Sequence, residues 1–261
     1  MDARHSIINT KRHPIDDLSG YALRCRDDLK KNSILILYEF LTKAALLDLQ
    51  EEAKELQGKA FYCSQSHNVF LEKNNTLLEN NHPYNIKVVS DKGCIPNDLV
   101  PIHSHLRAIY ASENFKQFIK CVFETDKIYP YADTLSSINI NYYEKNQQLG
   151  WHFDSASFAI TLMIQSSTLG GKFQYVVDAR NVAKKTENFP LIGAVLKNNY
   201  PVEELQIEGG ALVLFCGSNC LHRVTPINSA VPRILATLNY NLEKDIELSE
   251  NARLTFFGRL H

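Results

Sequence analysis

The chain of 261 residues has no apolar run as long as the roughly 18 residues that a membrane-spanning helix needs. It also lacks an excess of positive charge, because 28 Lys and Arg face 29 Asp and Glu, for a formal net charge of -1. This balance argues against a broad surface for nucleic acid or anionic membranes. Six cysteines are too few for a disulfide scaffold, and Met1 to His5 lack the apolar core of a secretory signal. We therefore expect a cytoplasmic globular protein with reduced thiols and with neither nucleic-acid nor membrane partners.

Helical patterns occupy the first half of the chain. Glu39 to Gln57 and Arg107 to Glu124 carry apolar residues at helical spacing. Pro14, followed by Ile15 and two acids, is typical of the first turn of a helix.

The sequence of the second half is typical of short strands. Strand patterns cover Ser137–Tyr143, Phe158–Gln165, Lys172–Val177, Ala211–Phe215 and Arg233–Asn241. Gly, Asn and Pro separate them, which is typical of a double-sheet antiparallel architecture such as a jelly roll. We predict one domain over residues 1–261. It has a mainly helical support region at 1–128, a strand-rich core at 129–245 and a C-terminal segment at 246–261.

Two histidines and one carboxylate form the most informative pattern. His152 and Asp154 are two positions apart, and residues at this spacing on a strand point to the same face. His222 follows 70 residues after His152, which leaves room for several strands between them. Two imidazoles and one carboxylate hold non-haem Fe(II) and leave coordination positions open. The sequence therefore predicts an iron site made by His152, Asp154 and His222.

Arg233 begins a strand pattern eleven positions after His222. A guanidinium fork can bond both oxygens of a carboxylate, so we expect Arg233 to anchor a dicarboxylate co-substrate. On the strand before the first ligands, Asn141 and Tyr143 share a face and could hydrogen-bond co-substrate or substrate. Packing inside the barrel is the alternative for these two side chains.

Taken together, these motifs resemble those of 2-oxoglutarate/Fe(II)-dependent oxygenases. The similarity is strongest to the hydroxylase relatives of the free-amino-acid (lysine) radical halogenases, and it covers most of the chain from about residue 60 onward. The blocks that carry it include Gly150-Trp151-His152-Phe153-Asp154, Gly170-Gly171-Lys172-Phe173, Leu221-His222-Arg223-Val224 and Pro232-Arg233.

The resemblance implies an α+β fold, with a double-stranded β-helix core (jelly roll, cupin-like) and N-terminal and flanking helices. It implies Fe(II) on the three ligands, and 2-oxoglutarate as co-substrate with its C5 carboxylate on Arg233. With O2, such an enzyme hydroxylates an unactivated C–H bond, here of a small polar metabolite such as a free amino acid or derivative. The substrate candidates are Asp133, Thr237, Asn239 and Phe257.

Two departures from the family pattern bear on the reaction and the substrate. Radical halogenases replace the carboxylate ligand, whereas this chain has Asp154, so we expect a hydroxylase and not a halogenase. The lysine-acting members carry a substrate-binding His three residues before the first ligand, where this chain has Leu149. No Arg lies between Arg26 and Arg107 to act as their other anchor. Free lysine is therefore disfavoured as the substrate.

Two alternative functions remain from the sequence alone. The same cofactor chemistry could act on a protein side chain, or the chain could be a non-catalytic, metal-binding, cupin-like protein. The oligomeric state is also open, with a homodimer as one option.

Overall fold

The computed structural model describes residues 6–261; Met1 to His5, which entered the expectation about a secretory signal, lie outside the described residues. In this range the helices are α1 Tyr21–Asn32, α2 Lys43–Leu56, α3 His105–Ala111, α4 Glu113–Phe123, α5 Phe189–Leu196 and α6 Glu250–Phe257. The strands of the first half are β1 Ile34–Leu37, β2 Phe61–His67 and β3 Val88–Ile95. Those of the second half are β4 Ile138–Tyr143, β5 Leu149–His152, β6 Ala159–Gln165, β7 Phe173–Val176, β8 Arg180–Asn181, β9 Thr186–Glu187, β10 Glu203–Leu205, β11 Leu212–Phe215, β12 Leu221–Val224 and β13 Arg233–Leu238.

Two antiparallel sheets form the core of the fold. The larger has seven strands in the order β1-β11-β6-β13-β4-β3-β2, and the smaller has four in the order β10-β7-β12-β5. Several strands that are neighbours in a sheet are far apart in the chain, as when β13 pairs with both β4 and β6. This pairing closes a double-sheet barrel, which confirms the predicted double-stranded β-helix with flanking helices.

The large sheet separates an outer apolar layer from the interior of the barrel. Alternate residues of β13 point outward, so Ile234, Ala236 and Leu238 join an apolar cluster with α1 to α4. The intervening residues Arg233, Leu235 and Thr237 line an internal cavity. Strict alternation along a strand thus puts one face of β13 under the helices and the other face in the barrel.

Apolar side chains also fill the space between the two sheets and the outer side of the small sheet. Between the sheets, Met163 and Phe215 of the large sheet belong to one cluster, against which Phe173 of the small sheet packs. On the outer side, Trp151 and Ile192 share a cluster that joins β5 to α5. The barrel is therefore covered on both faces.

The helices begin where a side chain caps them. Thr42 accepts a hydrogen bond from the Ala45 amide at the start of α2, which provides for one of the amides that have no partner within the helix. The predicted helix over Arg107 to Glu124 is divided in two, because Ser112 ends α3 and its hydroxyl caps α4. The segment after Pro14 does not become a helix; the first helix begins only at Tyr21, where the Asp17 carboxylate accepts from the Tyr21 amide.

The N-terminal region contains three strands besides the four helices α1 to α4. It contributes β1, β2 and β3 to the large sheet, with β1 at one edge and β2 at the other. The strand β2 reads Phe-Tyr-Cys-Ser-Gln-Ser-His and is largely exposed along one face. Its polar composition gives no apolar alternation, which is why a hydrophobic pattern does not indicate it.

Two expectations that rest on composition can be compared with the described residues. All six cysteines are free thiols, as expected for a chain without a disulfide scaffold. No helix within residues 6–261 has both the length and the apolar character to cross a bilayer.

Leu49 tests the packing of the helical layer on the large sheet. It is 1% exposed on α2, within the outer apolar cluster. We expect Leu49→Ala to lower the free energy of unfolding by about 2–5 kcal/mol, because it leaves a cavity in a packed core. Leu47 lies on the same helix and is 65% exposed, so Leu47→Ala is the matched control, with a change within about 0.5 kcal/mol. Urea unfolding measures both, and equal effects would contradict this packing.

Candidate active site

His152, Asp154 and His222 meet at one end of the barrel. His152 is the last residue of β5, and His222 pairs with it directly across the ladder from β12. The Nε2 atoms of His152 and His222 lie 3.5 and 3.6 Å from Oδ1 of Asp154. One candidate ligand atom from each residue lies within 4.8 Å of the other two. The structure thus brings the three predicted side chains to one point, with the donor set that suits Fe(II).

Backbone carbonyls fix how the two imidazoles point. His152 donates from Nδ1 to the Gly150 carbonyl at 2.8 Å, and His222 donates from Nδ1 to the Cys220 carbonyl at 3.0 Å. A carbonyl only accepts, so Nδ1 holds the proton and Nε2 keeps a free lone pair. Hydrogen bonds of this kind orient histidine ligands in metal sites.

Charge and burial set the protonation of the site. Burial lowers the pKa of His222 to about 4, and the neighbouring His152 adds to this effect. Burial also raises the pKa of Asp154, but the His222 and His152 side chains lower it more, to about 2. At neutral pH the carboxylate is therefore ionised and the imidazole of His222 is neutral, which are the forms that bind a metal.

Gly217 makes the space that the Asp154 carboxylate occupies. The Asp154 amide donates to the Gly217 carbonyl at 3.0 Å, which ties the two loops together. A Cβ atom at position 217 would lie 1.8 Å from Oδ2 of Asp154. Any side chain there would therefore displace the carboxylate.

Arg233 supplies a buried positive charge to the same cavity. It is 4% exposed, and its Nη1 atom is buried without a hydrogen-bond partner. None of the ion pairs within residues 6–261 includes it. Burial lowers its pKa to about 10, which still leaves the guanidinium charged at neutral pH. A buried unpaired charge is costly, so the arrangement fits an anionic ligand such as the carboxylate of 2-oxoglutarate.

The cavity that joins these groups has a volume of about 290 Å³. Of the other residues predicted to form the site, Asn141, Tyr143 and Thr237 line it. Tyr143 is paired with Arg233 across the ladder, and the guanidinium carbon lies 5.6 Å from the centre of its ring.

Three residues predicted for the substrate do not line this cavity. The Asp133 carboxylate accepts from the amides of Leu135 and Leu248, each at 2.9 Å, and so holds two loops. The side-chain amide of Asn239 donates from Nδ2 to the Ser136 carbonyl at 2.7 Å. Phe257 packs in a small apolar cluster instead, and its neighbour Phe256 reaches the cavity. The offset of one residue follows from the helical turn of α6, on which adjacent residues point in different directions.

Several lining residues were not found from the sequence. Gln65 and His67 come from β2 and Lys92 from β3. Their role depends on β3 pairing with β4, where Gly93 lies opposite Tyr142. No local motif in the sequence indicates this pairing. The three residues can therefore be assigned to the cavity only from the register of the sheet. Leu149, at the position where the lysine-acting family members have His, also lines the cavity.

Three solved structures have a fold similar to that of this chain. A 2OG-Fe(II) oxygenase family protein from Burkholderia pseudomallei is 13% identical, with a TM-score of 0.53 over 88% of this chain and 94% of that one. A prolyl-4-hydroxylase from Pseudomonas putida is 11% identical, with a TM-score of 0.52 over 84% and 98%. SnoK, a non-haem α-ketoglutarate-dependent carbocyclase of nogalamycin biosynthesis, is 11% identical, with a TM-score of 0.56 over 87% and 85%. These likenesses show that the chain has the same fold.

The family model described as Halogenase D matches residues 20–255, and together with the triad this match identifies a 2-oxoglutarate/Fe(II)-dependent oxygenase. The chain belongs to the Halogenase D family. Comparison with curated protein sequences gives no match.

Gly217→Ala tests how the carboxylate is held. The added methyl group would overlap Asp154, so we expect the affinity for Fe(II) or Co(II) to fall about 10- to 100-fold, as for other losses of support to a metal ligand. At Gly193 on α5, an added Cβ atom would meet no heavy atom within 4 Å, so Gly193→Ala is the control and should bind as the parent does. Anaerobic calorimetric titration measures the affinities. Equal affinity of the two variants would contradict the role of Gly217 in placing the Asp154 carboxylate.

Proposed function

We propose that the protein is a 2-oxoglutarate-dependent Fe(II) dioxygenase that hydroxylates an unactivated C–H bond of a small polar metabolite, a free amino acid or derivative. The observation that carries this proposal is the complete triad of His152, Asp154 and His222 beside a buried, unpaired Arg233. A non-catalytic cupin-like role would leave that guanidinium buried for no gain.

The proposed roles divide between the cofactors and the chain. Bound Fe(II) with 2-oxoglutarate and O2 supplies the oxidant for the C–H bond. His152, Asp154 and His222 hold the metal, and Arg233 binds the C5 carboxylate of the co-substrate through its planar fork. Tyr143 and Asn141 flank that position. Phe173 and Phe215, both of which contact the His222 ring, form an apolar wall that excludes water.

Asp154 favours hydroxylation over halogenation. In radical halogenases the carboxylate ligand is replaced, which leaves space for a halide at the metal. Here the carboxylate is present, and it occupies the space that a side chain at position 217 would fill. The third protein position is thus filled, so no site is left for a halide at that point.

The cavity favours a small molecule over a macromolecule. Its volume of about 290 Å³ lies just below the range of about 300 to 1,000 Å³ that is typical of small-molecule sites. The formal net charge of -1 supports the same choice, because enzymes that act on nucleic acid carry a basic surface.

Arg233→Leu tests the binding of the co-substrate. Loss of the guanidinium leaves the C5 carboxylate without its partner, so we expect the affinity for 2-oxoglutarate to fall at least tenfold. The readout is the visible metal-to-ligand charge-transfer band of the anaerobic Fe(II) protein, titrated with 2-oxoglutarate. Arg12→Leu, at an exposed ion pair with Glu39, is the control. No band with the parent protein would overturn the proposed function, and an unchanged Kd in Arg233→Leu would overturn the role of Arg233.

The identity of the product tests the role of Asp154. In single-turnover mass spectrometry with the standard amino acids, their N-acyl derivatives and cell extract in chloride buffer, we expect a product that has gained one oxygen atom. We expect Asp154→Ala to lose this product, because it lacks one ligand. A product in which chlorine replaces hydrogen would contradict the assignment as a hydroxylase.

A further inference from the structure

Two polar side chains in the cavity are not used by the chemistry described above. Lys92 on β3 and Gln65 on β2 both line it. Lys92 is paired with Cys63 and Gln65 with Ser90, so the two lie diagonally across adjacent strands, two register positions apart. They therefore form a polar patch on one wall, and this wall belongs to strands outside those that carry the three ligand residues.

Lys92 keeps its charge inside the cavity. Its Nζ atom donates to Oδ1 of Asn141 at 2.8 Å and lies 4.9 Å from the centre of the Phe256 ring. The amide oxygen and the ring face both stabilise a cation. An ammonium has three donors, and no carboxylate of residues 6–261 forms an ion pair with this one. Donors therefore remain for a ligand.

Gln65 adds a second donor. Its Nε2 atom is buried and has no hydrogen-bond partner. Leaving such a group unpaired costs free energy, which a ligand oxygen would recover. An ammonium and an amide N–H on the same wall are both hydrogen-bond donors. They suit a group that only accepts hydrogen bonds, such as an ionised carboxylate.

The remaining charges of the cavity indicate what the rest of the substrate lacks. Asp154 is the single acidic residue among the described lining residues, and the proposed metal takes it. A positively charged substrate group would thus have no free carboxylate of the described lining to pair with. It would also be repelled by two cations, Lys92 and Arg233. Leu71, Leu149 and Phe256 offer apolar surface instead.

The backbones of Lys92 and Arg233 lie on strands that are not neighbours in the large sheet. Arg233 on β13 is opposite Tyr143 on β4, and Gly93 on β3 is opposite Tyr142. Lys92 is therefore two strands away from Arg233, or about 10 Å between their backbones. In the proposed function the co-substrate binds Arg233, which leaves Lys92 as a second cation for another anion.

We propose that Lys92, with Gln65, binds the carboxylate of a substrate whose body is uncharged, such as an N-acylated amino acid. This proposal rests on the proposed function, since it concerns the same cavity, and it specifies which derivative is accepted. It assigns the choice of substrate to β2 and β3.

Matched ligands test the charge preference on the unaltered protein. The probes are N-acetyl-leucine, N-acetyl-leucinamide and leucinamide, which share a side chain but carry a negative charge, no charge and a positive charge. Binding to the anaerobic Fe(II)·2-oxoglutarate protein is measured by calorimetry. We expect N-acetyl-leucine to bind at least tenfold more tightly than either amide. Equal or tighter binding of leucinamide, or no binding of N-acetyl-leucine, would overturn the proposal.

Variants then assign the preference to residues. We expect Lys92→Met to weaken N-acetyl-leucine at least tenfold and to remove its advantage over N-acetyl-leucinamide, and Gln65→Leu to weaken it severalfold. Lys92→Arg keeps the charge and should retain the preference. Lys87→Met, at an exposed lysine just before β3, is the control and should bind as the parent does. Unchanged binding in Lys92→Met would overturn the proposal.

Two spectroscopic results separate this proposal from the proposed function. If the parent forms no charge-transfer band with Fe(II) and 2-oxoglutarate, the proposed function fails, whatever the probes do. If the band forms but Lys92→Met loses affinity for 2-oxoglutarate and not for N-acetyl-leucine, Lys92 belongs to the co-substrate. In that case the carboxylate proposal fails and the proposed function stands.

Discussion

The pairing of β5 with β12 is the constraint on which the site depends. These strands are far apart in the chain, yet His152 and His222 are directly opposite each other in the ladder. Because the side-chain period of a strand is two, a shift of one residue in this register would turn one imidazole out of the barrel. The fold therefore does more than bury apolar side chains. It sets a spacing between two rings, and the loop after β5 adds the carboxylate of Asp154 at the same point.

The interior of the barrel carries positive charge without matching acids of its own. Arg233 is buried and Lys92 faces the same cavity, while Asp154 stands between the two imidazoles. Such an interior is less stable than one filled with apolar residues of the same volume. The surrounding clusters between and outside the two sheets compensate for that cost. The charges are thus held ready for anions by packing that has no part in the chemistry.

Sequence patterns indicated five of the ten strands of the second half, namely β4, β6, β7, β11 and β13. They also indicated the triad, because apolar alternation and the His-x-Asp spacing are local signals. The strand predicted over Ser137–Tyr143 is observed as Ile138–Tyr143, and its Asn141 and Tyr143 do face the cavity. The polar strand β2 gave no such signal. Its contribution arises from long-range pairing, as does that of Lys92. Asp133 and Asn239 lie outside the cavity, where their side chains hydrogen-bond to the backbone of loops. A sequence pattern does not distinguish a polar residue that binds a ligand from one that holds a loop, because the difference lies in its tertiary contacts.

The position of β2 and β3 at the edge of the large sheet has an evolutionary consequence. They pair beyond β4, so neither strand takes part in the ladder between β5 and β12. Substitutions of their cavity-facing side chains change one wall of the barrel without replacing any of the three residues that would hold the metal. Lineages built on this plan can therefore diversify in what they recognise while conserving the oxidation that they perform.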